Sequence, residues 1–201
     1  MVWHFEVIAL LGIICVISLY LFGVWTLKKN QIPWPLGRTL SFVLLGNGTM
    51  FFATQGPLAY LDTSFLSAHM VQHMLLAMVA PIFLALGAPV TLILRATRGN
   101  VRQFIARLLH SRFVKVLSFP LFAGFIYIIN PWLLYFTGYY EETLANTVLH
   151  NFNHIHFIMV GSLWAWSLIG IDPMPRIAFG LRLFSVFVTL PFHAFLGLTK
   201  N

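Results

Sequence analysis

Apolar runs of about 20 residues, the length at which a helix spans a bilayer core, recur along the whole chain. They limit its fold more than any other feature. With 59% of its 201 residues hydrophobic and 8% charged, the chain could not cover a soluble surface with polar side chains. A helix satisfies its own backbone hydrogen bonds in lipid. We therefore predict an all-α, polytopic transmembrane helix bundle.

The predicted bundle is a single domain over residues 1–201 with about six spans. These spans cover residues 5–27, 39–60, 65–94, 116–136, 144–169 and 181–199. Small residues in the second span, Gly46, Gly48 and Gly56 with Pro57, favour either close approach of a neighbouring helix or a broken helix. The last span is still apolar at Leu198. We therefore expect the chain to end early relative to its relatives, or this helix to be short.

Residues 97–113 have a different pattern. Apolar residues recur at the spacing of one helix face, and arginines occupy the other positions: Val101, Phe104, Ile105, Leu108 and Leu109 against Arg98, Arg102, Arg107 and Arg112. This pattern predicts an amphipathic helix lying in the membrane interface.

The basic residues indicate the orientation of the bundle. Eleven of the 12 Lys and Arg fall in the first, third and fifth loops, namely Lys28, Lys29 and Arg38, then Arg95, Arg98, Arg102, Arg107, Arg112 and Lys115, then Arg176 and Arg182. The even loops carry only acidic charge, at Asp62, Glu141 and Glu142. The positive-inside rule then places the N-terminus outside and the amphipathic helix at the cytoplasmic face. Because topology and lipid headgroups explain the net charge of +7, we expect no nucleic-acid partner.

Five histidines fall in one layer of this predicted bundle. His69 with His73, and His150 with His154, are i, i+4 pairs on two spans, and His193 is on the last. At the helical rise they lie roughly 6 to 15 Å below the outer surface. Two such pairs and a fifth histidine at matching depth are hard to explain as separate packing choices.

Other polar residues lie near this layer. Asn146 and Asn153 extend the stripe of the second pair, which must face protein or water. His156 points away from that stripe, so we expect it either to pack against a neighbouring helix or to support a ligand without binding the metal itself. His4 is also on the outer side, whereas His110 belongs to the cytoplasmic helix.

The residue types in the layer favour a soft or borderline metal. Imidazole suits Cu, Zn, Fe and Ni, and the thioethers of Met70 and Met74 would favour Cu(I), although methionine in a span is commonly apolar filler. No Asp or Glu lies in this part of the spans, so we expect neither a Mg or Ca site nor a carboxylate-bridged di-iron centre. Cys15 is the lone cysteine, and no nucleophilic triad is evident. We therefore do not expect an enzyme.

Several stretches resemble the CtaG family of cytochrome c oxidase assembly factors. They are Ala68–His69–Met70–Val71–Gln72–His73–Met74 with the later Ala80–Pro81 and Gly87–Ala88–Pro89, His150-x-x-x-His154 with Gly161 and Trp164, Gly170-x-Asp172–Pro173, and Pro191-x-His193. The resemblance implies a bacterial plasma-membrane protein needed to build a haem-copper oxidase. It also implies that His69, His73, His150, His154 and His193 are the candidate ligands.

We accordingly predict a membrane assembly factor that binds copper through His69, His73, His150, His154 and His193, with Met70 or Met74 assisting. An oxidase subunit would be the copper acceptor. A bis-His haem cytochrome and a copper transporter are the alternatives. The metal's identity and number, and homo-oligomerisation, are left open by the sequence.

Overall fold

The described part of the chain is built from helices joined by turns, which confirms the predicted all-α class. A computed structural model describes residues 6–56, 58, 61, 65–173 and 178–199. The α-helices are, in chain order, α1 (Val7–Lys29), α2 (Leu36–Leu40), α3 (Asn47–Thr54), α4 (Leu66–Met74), α5 (Ala80–Leu86), α6 (Pro89–Ala96), α7 (Gly99–Leu109), α8 (Arg112–Leu117), α9 (Pro120–Phe136), α10 (Tyr139–Ala145), α11 (Thr147–Ile169) and α12 (Phe179–Thr199). A π-helical segment, π1 (Ser41–Gly46), joins α2 to α3, and a second, π2 (Leu75–Val79), joins α4 to α5.

Two helices in the described residues are long and apolar enough to cross a membrane. They are α1 and the helical stretch Ser67–Ala96, which comprises α4, π2, α5 and α6 and contains a turn between α5 and α6. Large apolar side chains of α1, among them Leu11, Leu19 and Phe22, are exposed on the surface of the protein. An exposed apolar face of this length needs apolar surroundings. The number of spans and their orientation stay predictions.

The predicted third span, residues 65–94, is not one straight helix. It breaks at Gly87 and Ala88, and Ala88 adopts the left-handed conformation with a φ of 49°. The residue before a proline is disfavoured in the right-handed helical conformation, so the chain turns at Ala88 and α6 begins at Pro89. The sequence signal for the break was Pro89, which we had counted as part of the span.

Asp172, from the turn after α11, stabilises the start of α6. Its buried carboxylate accepts hydrogen bonds from the backbone nitrogens of Thr91 (2.7 Å) and Val90 (3.4 Å). It also accepts from the Thr91 hydroxyl (2.6 Å) and the Trp166 indole (2.8 Å). These bonds satisfy N–H groups that a helix start leaves without intrahelical partners. The turn after α11 is thereby fixed to α6.

Small residues let the helices approach closely. A Cβ built at Gly161 of α11 would overlap the carbonyl oxygen of Ala77 in π2. A Cβ at Gly46 would come within 2.8 Å of the Leu84 side chain of α5. Both interpretations of the second span therefore hold in part. Gly46 is a close helix contact, and the helix ends at Thr54, before Gly56, which has a φ of 91°.

Residues 97–113 form one amphipathic helix and the start of another. The first, α7, ends at Leu109, and Ser111 caps α8 by accepting a hydrogen bond from the Val114 nitrogen. The apolar side chains of Val101 and Phe104 are exposed, as a helix lying on a bilayer requires. Contact of α7 with lipid stays a prediction.

The short helix α10 (Tyr139–Ala145), which precedes α11, was not predicted from the sequence.

We predict that Gly161→Ala destabilises the protein because the new methyl group must displace the backbone of π2. Overpacking of this kind costs about 1–3 kcal/mol. For a chain of this size the apparent Tm of the detergent-purified protein should fall by about 2–4 °C per kcal/mol. Gly48→Ala is the matched control, because a Cβ there meets nothing within 4 Å. An unchanged Tm for Gly161→Ala would contradict the close contact.

We also predict that Asp172→Asn lowers the apparent Tm. The asparagine amide has one acceptor oxygen, and its N–H₂ group would face the N–H and O–H groups that now donate to Asp172. At least one of the hydrogen bonds that Asp172 accepts is therefore lost. Hydrogen bonds to charged groups contribute about 1.5–3 kcal/mol each. Glu142→Gln, a carboxylate change at an exposed position, should leave the Tm unaltered. Equal stability of the two variants would mean that Asp172 does not hold α6.

Candidate metal centre

Four buried imidazoles from two helices meet at the centre of the protein. His69 and His73 of α4 are 0% and 4% exposed, and His150 and His154 of α11 are 9% and 3% exposed. Across the two helices, the ring centres of His69 and His150 lie 5.9 Å apart and those of His73 and His154 lie 5.5 Å apart. The structure therefore brings together both pairs that the sequence singled out. We name these four side chains the histidine cluster.

The backbone contact at Gly161 sets the distance between the two pairs. Ala77 follows His73 by about one turn of helix, and Gly161 follows His154 by about two turns. Because α11 and π2 touch through backbone at this point, the preceding turns lie close together, and the imidazoles on them have ring centres 5.9 and 5.5 Å apart across the two helices. π-helical turns are rare and are frequently found at functional sites.

Within α4 the two imidazoles are hydrogen-bonded to each other. The Nε2 atoms of His69 and His73 lie 2.7 Å apart, so one ring donates an N–H and the other accepts. A tetrahedral ion bound at about 2.0 Å would hold its nitrogens about 3.3 Å apart. The pair would therefore open by about half an ångström to share one ion.

Apolar and aromatic groups surround the histidine cluster. The Phe157 ring lies 4.3 Å from that of His73, and the Tyr135 ring lies 6.1 Å from that of His69. The neighbouring Gln72 is fully buried and donates to the carbonyl oxygen of Ala53, which ties α4 to α3. In these surroundings a polar atom without a partner is costly.

A carboxylate also reaches the cluster, so our prediction that this layer contains no Asp or Glu was wrong. Glu6 lies just before α1, and its Oε2 is 3.5 Å from Nδ1 of His154. Donor atoms of Glu6, His150 and His154 all lie within 4.8 Å of one another. The sequence argument looked for carboxylates within the spans at the depth of the histidines and missed Glu6, at the outer end of the first span. An acidic residue at the outer end of an otherwise uncharged span was the available signal.

The donor atoms fit a bound cation. Both ring nitrogens of His154 and Oε2 of Glu6 are buried and accept or donate no hydrogen bond among the described residues. A buried polar atom without a hydrogen-bond partner costs about 1–3 kcal/mol of stability. Coordination of a metal ion by these atoms would offset that cost. Among the described residues, the donor atoms that already lie within 4.8 Å of one another are those of Glu6, His150 and His154. His69 and His73 border this group, with ring centres 5.9 Å from that of His150 and 5.5 Å from that of His154.

The other predicted ligands are placed differently. Met70 packs against the aromatic core beside the cluster, whereas Met74 is 54% exposed and so differs from the buried imidazoles. His193 belongs to α12, but its side chain lies outside the described residues, as does all of His4.

Two polar residues near the cluster have packing or capping contacts. His156 hydrogen-bonds to Asn130 of α9 (3.0 Å), in agreement with its predicted packing role. Asn146 caps α11 by accepting from the backbone nitrogens of Val148 and Leu149. Asn146 thus starts the helix rather than extending the polar stripe, whereas Asn153 is buried on that stripe.

The fold and the site define an all-helical, strongly apolar protein with a buried centre of imidazole and carboxylate donors. The chain belongs to the family described as cytochrome c oxidase caa3 assembly factor, whose model matches residues 18–199. This match confirms the resemblance noted in the sequence. Glu6 lies outside the matched residues.

Similar proteins occur in mycobacteria. Proteins described as uncharacterized in Mycobacterium bovis and Mycobacterium tuberculosis are each 36% identical over 98% of this chain. One in Mycobacterium leprae is 33% identical over the same share. The chain spans about a third of the length of these relatives, 31% in each case. No solved structure matches the chain.

Proposed function

We propose that this protein is a membrane-embedded assembly factor that binds copper in the histidine cluster and passes it to a subunit of a cytochrome c oxidase. The observation that carries the proposal is the meeting of the buried imidazoles of His69, His73, His150 and His154. Both ring nitrogens of His154 have no hydrogen-bond partner among the described residues. Family membership supplies the assembly role. Imidazole suits copper as well as Zn, Fe and Ni, and we propose copper among these because the family's role is the assembly of an oxidase that contains copper.

The predicted topology gives the cluster an outward position in a bacterial plasma membrane. With basic loops inside and the N-terminus outside, the cluster lies in the outer half of about six spans. Copper would then be accessible from the outer face and could move to the acceptor by ligand exchange. His193 would add a fifth imidazole from α12, and Met70 or Met74 would help Cu(I) enter or leave. No covalent chemistry is required, so we propose no enzymatic activity.

The contact between α11 and π2 argues against a haem protein. A haem ligated by one histidine from each helix would have to lie between them. Gly161 and Ala77 touch through backbone a short distance below the cluster, which leaves no gap for a macrocycle at that point.

Transport of copper across the membrane is also disfavoured. A transport path would continue polar or thioether groups inward from the cluster. The buried residues that follow His73 along π2 and α5 are Leu76, Ala77, Ala80, Pro81, Leu84 and Ala85, which offer no such groups.

The proposal predicts that His73→Ala/His154→Ala abolishes both copper binding and oxidase assembly. The double variant removes one ligand from each helix. Because loss of even a group that only supports a ligand typically lowers metal affinity 10–100-fold, we expect the copper affinity to fall by more than about tenfold. A strain that lacks the gene is complemented with each variant. Cytochrome c oxidase activity of its membranes is then measured beside the metal content and optical spectrum of the purified protein.

His110→Ala is the control, because it removes an exposed histidine at the end of α7. It should retain copper and support normal oxidase activity. Normal oxidase activity with the copper-free double variant would refute copper delivery. Iron with a Soret band would instead identify a cytochrome, and copper uptake into vesicles containing the protein would identify a transporter.

A further inference from the structure

Glu6 places a carboxylate beside the histidine cluster, and among the described residues no Lys or Arg forms a salt bridge with it. Its side chain is 10% exposed, and Oε2 makes no hydrogen bond among the described residues. The basic residues of its own helix, Lys28 and Lys29, lie about 33 Å away at the opposite end of α1. An ionised carboxylate in apolar surroundings requires a counter-charge. Among the described residues the partner that faces Oε2 is His154, at 3.5 Å, and the alternative is a metal ion bound between them.

Gln55 fixes the position of Glu6 through the backbone rather than through the carboxylate. Its side-chain amide accepts from the Glu6 nitrogen and donates to the Glu6 carbonyl oxygen, each at 3.2 Å. Gln55 is itself 1% exposed and also donates to the hydroxyl of Thr54. The start of α1 is therefore held against the end of α3. The carboxylate is left free to face His150 and His154.

We propose that Glu6 is a metal ligand and that Glu6, His150 and His154 form a two-nitrogen, one-oxygen site selective for Cu²⁺ over Cu⁺. The inference rests on the proposed copper function and deepens it by assigning an oxidation state. A carboxylate oxygen favours divalent ions, whereas Cu⁺ favours neutral soft donors such as thioethers. The anion also offsets part of the charge of a divalent ion in a buried site. Gln55 acts as a positioning residue.

The arrangement of the donors supports ligation over a simple ion pair. A protonated His154 would satisfy one nitrogen with Glu6, but the second ring nitrogen is equally buried and has no hydrogen-bond partner among the described residues. In addition, the donor atom of His150 lies within 4.8 Å of those of both Glu6 and His154. One ion bound by all three residues accounts for both observations.

The test compares the affinities of the whole purified chain for Cu²⁺ and for Cu⁺ in the wild type, Glu6→Gln and Gln55→Leu. Cu²⁺ is titrated against a competing chelator and followed by electron paramagnetic resonance. Cu⁺ is titrated without oxygen against a chromogenic chelator. We expect Glu6→Gln to weaken Cu²⁺ binding by more than about tenfold and Cu⁺ binding by less than about threefold. Gln55→Leu should weaken Cu²⁺ binding in the same sense, because the carboxylate is no longer held in place.

Two controls keep the result interpretable. Glu141→Gln removes an exposed carboxylate and should leave both affinities unchanged. Thermal unfolding of the metal-free variants shows whether each is folded. If Glu6→Gln does not fold, Glu6→Asp keeps the charge and shortens its reach by one methylene. That variant should bind Cu²⁺ more weakly than the wild type, with an altered resonance spectrum.

The outcomes separate the two proposals. Cu²⁺ affinity of Glu6→Gln within about threefold of the wild type would overturn the role of Glu6 and leave copper delivery standing. Wild-type protein that binds Cu⁺ but not Cu²⁺ would also overturn the role of Glu6 and leave copper delivery standing. Wild-type protein that binds neither ion would overturn the proposed function itself.

Discussion

The close approach of α11 to π2, where Gly161 meets the backbone of Ala77, is the contact on which the site depends. A side chain at Gly161 would separate the two helices, and the imidazoles of His73 and His154 on the turns before it would no longer face each other. Packing within an apolar interior tolerates such small displacements poorly. The site is therefore a consequence of how two helices pack as much as of which ligands they carry.

Much of this arrangement was predictable from local sequence, because helical periodicity is a local property. The spacing of His69 with His73 and of His150 with His154 is enough to place each pair on one face of a helix, and the structure shows the two faces opposed. Glu6 was missed because its place beside His154 depends on a contact with Gln55, a residue 49 positions away. The π-helical turns and helix α10 are not visible in residue periodicity, whereas the break at Ala88 had a local signal in Pro89.

The proposed function requires that the cluster both hold and release a metal. The buried nitrogens of His154 and Oε2 of Glu6, which have no hydrogen-bond partner among the described residues, favour a bound cation. The aromatic groups of Tyr135 and Phe157 keep the surroundings of the cluster apolar. The hydrogen bond between His69 and His73 shows that part of the cluster can satisfy itself without a metal. Such a cluster could give up its ion without leaving every nitrogen unpaired, as delivery to an oxidase subunit would require.

Copper K-edge X-ray absorption on the copper-loaded protein tests the central claim most directly, because it reports the atoms around the metal. Our account predicts a shell of nitrogen and oxygen neighbours at about 2.0 Å with the outer-shell scattering of imidazole rings. Both the imidazole signal and the copper should be lost in His73→Ala/His154→Ala. A spectrum dominated by sulfur neighbours, or copper retained unchanged by that variant, would contradict the assignment of the histidine cluster as the copper site.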